Sequence, residues 1–118
     1  MITMYGIKNC DTVRKARRWL DKHAIEYHFH DYRADGLARD WLEARIEELG
    51  WEALVNRRGT TWRKLPESVR AGMDRDSALR VMLEQPALIK RPLLEVDGRH
   101  LVGFDADTWQ AALSGRGR

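Results

Sequence analysis

The segment that decides the fold is Met1-Ile2-Thr3-Met4-Tyr5-Gly6-Ile7-Lys8-Asn9-Cys10-Asp11-Thr12-Val13. Its first six residues are apolar and β-prone, and Gly6 opens a turn. The run reads as a short buried strand. Asn9, Asp11 and Thr12 are residue types that begin helices. Apolar residues then recur at Val13, Ala16, Leu20 and Ala24, the stripe of an amphipathic helix. Arg14, Lys15, Arg17 and Arg18 fill most of the opposite face. A second strand is expected over Ile25 to His30. The first thirty residues therefore read as β-α-β, with the two strands parallel and the crossover right-handed.

The pattern changes after Arg33. Leu37 to Leu49 reads as a helix closed by Gly50, with a further helical turn over Trp51 to Asn56. Arg57 to Thr61 reads as a loop, and Trp62 to Leu65 as a helical turn before Pro66. Asp76 is the N-cap candidate for a helix to Glu84, stopped by Pro86. Strands return at Leu93 to Val96 and Arg99 to Val102. Asp97-Gly98 between them is the pair a type I′ hairpin favours. Asp105 caps a last helix with Ala106, Trp109 and Leu113 on one face. The order is βαβ, helices, then ββα. That predicts an α/β, thioredoxin-like mixed sheet with an all-helical insert at about 33–88, in a single domain over 1–118.

Composition supports a folded chain. It has 118 residues, 43% hydrophobic and 33% charged, with five Trp. Disordered, collagen-like and disulfide-scaffold classes are excluded. Lys plus Arg is 21 and Asp plus Glu 18, a net charge of +3. The signs are interspersed, so bulk charge reads as solubility rather than a polyanion grip. No apolar run reaches the ~20 residues of a membrane span, and no signal-peptide pattern opens the chain. A cytoplasmic location, a reducing compartment and a monomer are expected. Ser114 to Arg118 reads as a tail, and its two arginines offer nucleic acid little.

Cys10 is the one cysteine. A free cysteine is usually a small buried hydrophobe. Its polar neighbours, Lys8, Asn9, Asp11 and Thr12, favour a surface loop feeding a helix instead. There the unpaired amides and the dipole favour thiolate over thiol. Lys8 adds a cation, which Asp11 partly opposes. Val13 stands where a dithiol enzyme would carry its second cysteine. Catalysis through Cys10 would then need an outside thiol, such as glutathione or a partner protein. Arg91-Pro92 precedes the third strand, opposite the helix start in a thioredoxin-type sheet. It reads either as a strand start or as a cis-proline beside an anion-binding arginine. Arg57 and Arg58 read as solvated side chains or as an anion site with Thr60 and Thr61. His28 and His30 share a strand face, but no third ligand joins them, so no metal is expected.

Together, Tyr5 to Thr12, Phe29 to Tyr32, Asn56 to Leu65 and Ile89 to Leu93 resemble the ArsC/Spx family along essentially the whole chain. The wording is most similar to the YffB-type branch, through Gly59 to Leu65 and Leu101 to Phe104. The resemblance implies a thioredoxin-like fold with a helical insert. It implies Cys10 as nucleophile, and anion-binding arginines at Arg91 and at Arg58 or Arg57, the former preferred. Lys8, Asn9 and Pro92 complete the expected site. The third arginine of the arsenate reductases is missing, since Gly103-Phe104 stands where they have Arg-Pro. Spx-type regulators bind RNA polymerase and usually carry C-x-x-C, which Val13 breaks. The expected function is glutathione-dependent thiol/disulfide reduction with glutathione as co-substrate. Arsenate reduction and polymerase binding are the alternatives.

Overall fold

A computed structural model describes residues 2–114. Of the tail expected over Ser114 to Arg118, Ser114 instead ends the last helix, and residues 115–118 lie outside the described residues. The chain divides into two compact units, one of residues 2–35 and 91–114, the other of residues 36–90.

The first unit is a four-stranded sheet with two helices. β1 (Ile2–Gly6) leads to α1 (Asp11–Lys22) and β2 (His28–Asp31). After the second unit come β3 (Leu93–Val96), β4 (Arg99–Val102) and α7 (Ala106–Ser114). Strand order is β2-β1-β3-β4, with β1 and β2 parallel and the other pairs antiparallel. This is the thioredoxin-like mixed sheet expected from the sequence.

One face of the sheet carries Ile2, Met4, Leu94 and Val96. They bury against Val13, Ala16 and Leu20 of α1 and Trp109 of α7. Gly6 lets α1 approach: a Cβ there would lie 2.9 Å from Val13 Cγ2. Asp97 and Gly98 have φ of 51° and 83°, the two positive values a type I′ turn requires. Asp105 caps α7, its carboxylate accepting the Thr108 N–H at 3.0 Å.

Two expectations fail between α1 and β2. The helix ends at Lys22, so Ala24 does not extend its stripe; it is exposed with φ 56°. The Ile25 N–H closes the helix end on the Leu20 carbonyl at 3.0 Å. Ile25 and Tyr27 are apolar because they pack on the core, not because they pair in the sheet. The strand therefore starts at His28 rather than Ile25.

The second unit is helical: α2 (Arg39–Leu49), α3 (Trp51–Leu54), α4 (Thr60–Lys64), α5 (Glu67–Ala71), α6 (Arg75–Glu84) and a 3-10 turn at Pro86–Leu88. α6 begins before the expected Asp76. Its cap is Asp74, which accepts the Ser77 N–H at 2.9 Å while Ser77 Oγ accepts the Asp74 N–H at 2.9 Å. That reciprocal box outcompetes Asp76, which lies inside the first turn. α4 starts within the expected loop, and α5 had no expectation at all. Both are single turns too short to show a period. Val55 bridges Ile89, and the Asn56 N–H donates to the Leu88 carbonyl at 2.8 Å.

Candidate active site

Cys10 is the N-cap residue of α1, extended at φ −138° and ψ 127°. Its carbonyl already accepts the first helical bond, from the Arg14 N–H at 2.9 Å. The sulfur faces the unpaired amides of the first turn but closes no regular capping hydrogen bond on them. It is half-buried, not sequestered in the core.

Partial burial pushes the Cys10 thiol up. The Val13 amide, the Arg91 guanidinium through a hydrogen bond and its charge, and the Thr12 amide outweigh it. The net result is a thiol held below its ordinary range. A helix N-terminus and an adjacent fixed cation are the two devices that make cysteine a nucleophile near neutrality. Lys8, the cation suggested by sequence, is not among the leading groups that lower it. Asp11, the suggested opposing charge, is tied to Arg14 instead.

Arg91 therefore meets Cys10. The Arg91–Pro92 bond is cis, and Pro92 is buried with its carbonyl accepting the Gly103 N–H at 2.8 Å. Lys8 and Asn9 are exposed on the loop between β1 and Cys10. Arg57 and Arg58 belong to the second unit. The Arg57 guanidinium lies over two indole rings, 5.8 Å from Trp51 and 5.7 Å from Trp62. Arg58 is exposed; its N–H donates to Asn56 Oδ1 at 3.1 Å, and its carbonyl accepts from Arg63 at 3.1 Å. Both are exposed, and of the pair Arg57 lies over aromatic faces.

Asp31 was not singled out as a site residue. One carboxylate oxygen accepts the Lys8 N–H at 3.2 Å. The other accepts the N–H groups of Arg33 at 2.8 Å and Ala34 at 3.3 Å. Slight burial pushes the carboxyl up, and these three amides with the charge of Arg33 bring it below its usual range. Asp31 thus ties the end of β2 to the loop that presents Cys10. The Asp-x-Arg-Ala spacing is an Asx-turn signal and was legible; the bond to Lys8, 23 residues away, was not.

Gly103 and Phe104 also have tasks in the first unit. Gly103 sits at φ 79°, and its carbonyl accepts the Trp109 indole N–H at 3.2 Å. Phe104 meets Trp109 edge-on at 4.8 Å between ring centroids. The position that the resemblance assigns to an arginine is spent here on anchoring Pro92 and α7. His28 and His30 do face the same way, opposite Thr3 and Tyr5 of β1. Among the described residues no group of three metal-binding side chains converges.

These features define a thioredoxin-like protein with one cysteine at a helix N-terminus. The ArsC family pattern matches residues 5–112, and the chain belongs to that family. It is 52% identical over 114 residues to an uncharacterised protein of Haemophilus influenzae, covering 97% of this chain and all of that one. The global transcriptional regulator Spx of Bacillus subtilis is more distant, 29% identical over 91% of this chain and 82% of its own. A solved structure of the YffB (PA3664) protein is 51% identical with a TM-score of 0.90, covering 96% of this chain and 99% of that one. An arsenate reductase-related protein of Brucella melitensis is 52% identical with a TM-score of 0.80, covering 93% and 92%.

Proposed function

We propose that the protein is a glutathione-dependent thiol/disulfide reductase acting through Cys10. The observation that carries this reading is the Cys10 sulfur held toward thiolate by the start of α1 and Arg91. The Cys10 thiolate attacks the glutathionyl sulfur of a mixed disulfide. A Cys10–glutathione disulfide forms, and the substrate thiolate leaves. A glutathione thiolate then attacks that sulfur, releasing oxidised glutathione and restoring the Cys10 thiolate. With no second cysteine in the 118 residues, the resolving thiol comes from outside. Arg91 holds an anionic group of the bound thiol beside the sulfur. Lys8, Asn9 and Pro92 are the walls of the proposed site.

The test is turnover of a small glutathione mixed disulfide with glutathione in excess. Native protein is expected to turn over, and Cys10→Ser to lose all turnover while keeping its fold. Activity surviving in that variant would sink the mechanism. A second reading is oxyanion reduction, favoured by a thiolate beside a guanidinium. It predicts glutathione oxidation that depends on arsenate. The use of Gly103 and Phe104 in the core argues against it. Neither activity, together with retention of RNA polymerase in a pull-down, would move the protein to the regulatory reading that Spx illustrates.

A further inference from the structure

The cationic face of α1 has no part in the chemistry described so far. Its five basic residues are not equivalent. Arg17 is turned inward, 3.1 Å from the Tyr27 hydroxyl and 4.6 Å over the Phe29 ring. Arg14 is neutralised by Asp11. Lys15, Arg18 and Lys22 remain exposed. Among the described residues none of the three has a carboxylate partner. Val13, Ala16 and Leu20 are buried against the sheet, which forces this triad outward. Asp21, also exposed, is the one carboxylate of the helix beyond Asp11.

We propose that this stripe docks an acidic polypeptide segment whose disulfide is delivered to Cys10. The inference rests on Cys10 attacking disulfides, and it names the substrate class. At a helical rise of about 1.5 Å per residue, Lys15, Arg18 and Lys22 lie roughly 8, 12 and 18 Å along the axis from Cys10. An extended peptide covers about 3.3 Å per residue. Its carboxylates would meet the stripe when placed roughly two to six residues from the reacting sulfur. An extended tripeptide spans only about 10 Å, so glutathione with its sulfur at Cys10 falls short of Lys22. Nucleic acid is the weaker fit: three unpaired cations neutralise few phosphates, and a nucleic acid brings no sulfur to Cys10.

The test compares two peptides, each carrying one cysteine activated as a 2-thiopyridyl disulfide. One has Glu at the second to fifth positions after the cysteine, the other Gln. Attack by Cys10 forms the protein–peptide disulfide and releases 2-thiopyridone, which reports the rate. The Glu peptide is expected to react about tenfold faster at low salt, with the ratio falling toward one as salt screens the stripe. The variant Lys15→Glu/Arg18→Glu/Lys22→Glu is expected to invert the ratio. Because each protein serves as its own reference, a change in thiolate reactivity cancels. If that variant does not fold, Arg18→Glu and the salt series on native protein carry the test. A ratio of one at low salt, or a ratio the variants leave unchanged, overturns the docking surface alone. A single-stranded oligonucleotide that blocks exchange more strongly than a free Glu peptide of equal charge overturns it in favour of nucleic acid. Loss of glutathione turnover with the ratio intact overturns the proposed function instead. A Cys10 that reacts with neither peptide overturns both.

Discussion

At the scale of single residues, reactivity turns on what surrounds one sulfur. Arg91 contributes both a hydrogen bond and a charge to the Cys10 thiolate. Arg91→Ala is expected to raise the Cys10 pKa and slow thiol alkylation at neutral pH. Arg91→Lys, which keeps the charge and loses the planar fork, should restore part of the effect. Asp31 acts one step further out. Asp31→Asn keeps an oxygen for Arg33 and Ala34 but sets an amide against the Lys8 N–H. A loss of about 1–2 kcal/mol in urea unfolding is expected, with broadened amide signals over residues 7–10. Cys10 was legible in the sequence because polar neighbours and a helix start are local signals; Arg91 stayed open between a strand start and an anion contact until the family resemblance favoured the second. The bond from Lys8 to Asp31 was not legible, because it joins a loop to the end of a strand 23 residues away.

At the scale of elements, turn chemistry and caps decide the boundaries. Gly98 at φ 83° completes the β3–β4 turn, and Gly98→Ala is expected to cost about 1 kcal/mol. Asp74→Ala should lower stability by opening the capping box of α6, while Asp76→Ala should lower it less. Thermal or urea unfolding of the two variants checks the order. The β3–β4 hairpin and the end of α2 were read correctly because Asp97-Gly98 and Gly50 are strong local punctuation. The start of β2 was misread because Ile25 and Tyr27 look like strand residues to any pattern, and only the sheet register shows that they pack from outside it. The α6 cap was misread because two acids two residues apart both fit the pattern, and Ser77 chooses between them.

At the scale of the molecule, three carboxylates tie stability to pH. Asp31, Asp74 and Asp105 are all held below the usual carboxylate range. For Asp31 burial opposes the shift and the amides of Arg33, Ala34 and Lys8 produce it; the Ser77 amide leads for Asp74 and the Thr108 hydroxyl for Asp105. A carboxyl depressed in the folded state binds protons more readily once unfolded. Its stabilisation is therefore full above the unfolded pKa and is lost as pH falls through the folded one. Stability should decline on acidification below the ordinary carboxylate range. Asp74→Asn with Asp105→Asn keeps an oxygen at each cap, so the acid branch of the stability curve should flatten. The thioredoxin-like architecture was legible because βαβ and ββα halves leave few topologies. The basic face of α1 was legible only as Arg14, Lys15, Arg17 and Arg18; the structure adds Lys22, turns Arg17 inward, pairs Arg14 with Asp11, and leaves Lys15, Arg18 and Lys22 with no carboxylate partner among the described residues.

Titration of the Cys10 sulfur decides whether it is an activated thiolate near neutral pH. As the sole cysteine, it alone reports the rate of iodoacetamide alkylation against pH. An activated thiolate gives an inflection below the ordinary thiol value of about 8.5, moved upward in Arg91→Ala, with glutathione slowing the reaction of native protein. An inflection at or above that value, unmoved by Arg91→Ala, would contradict it.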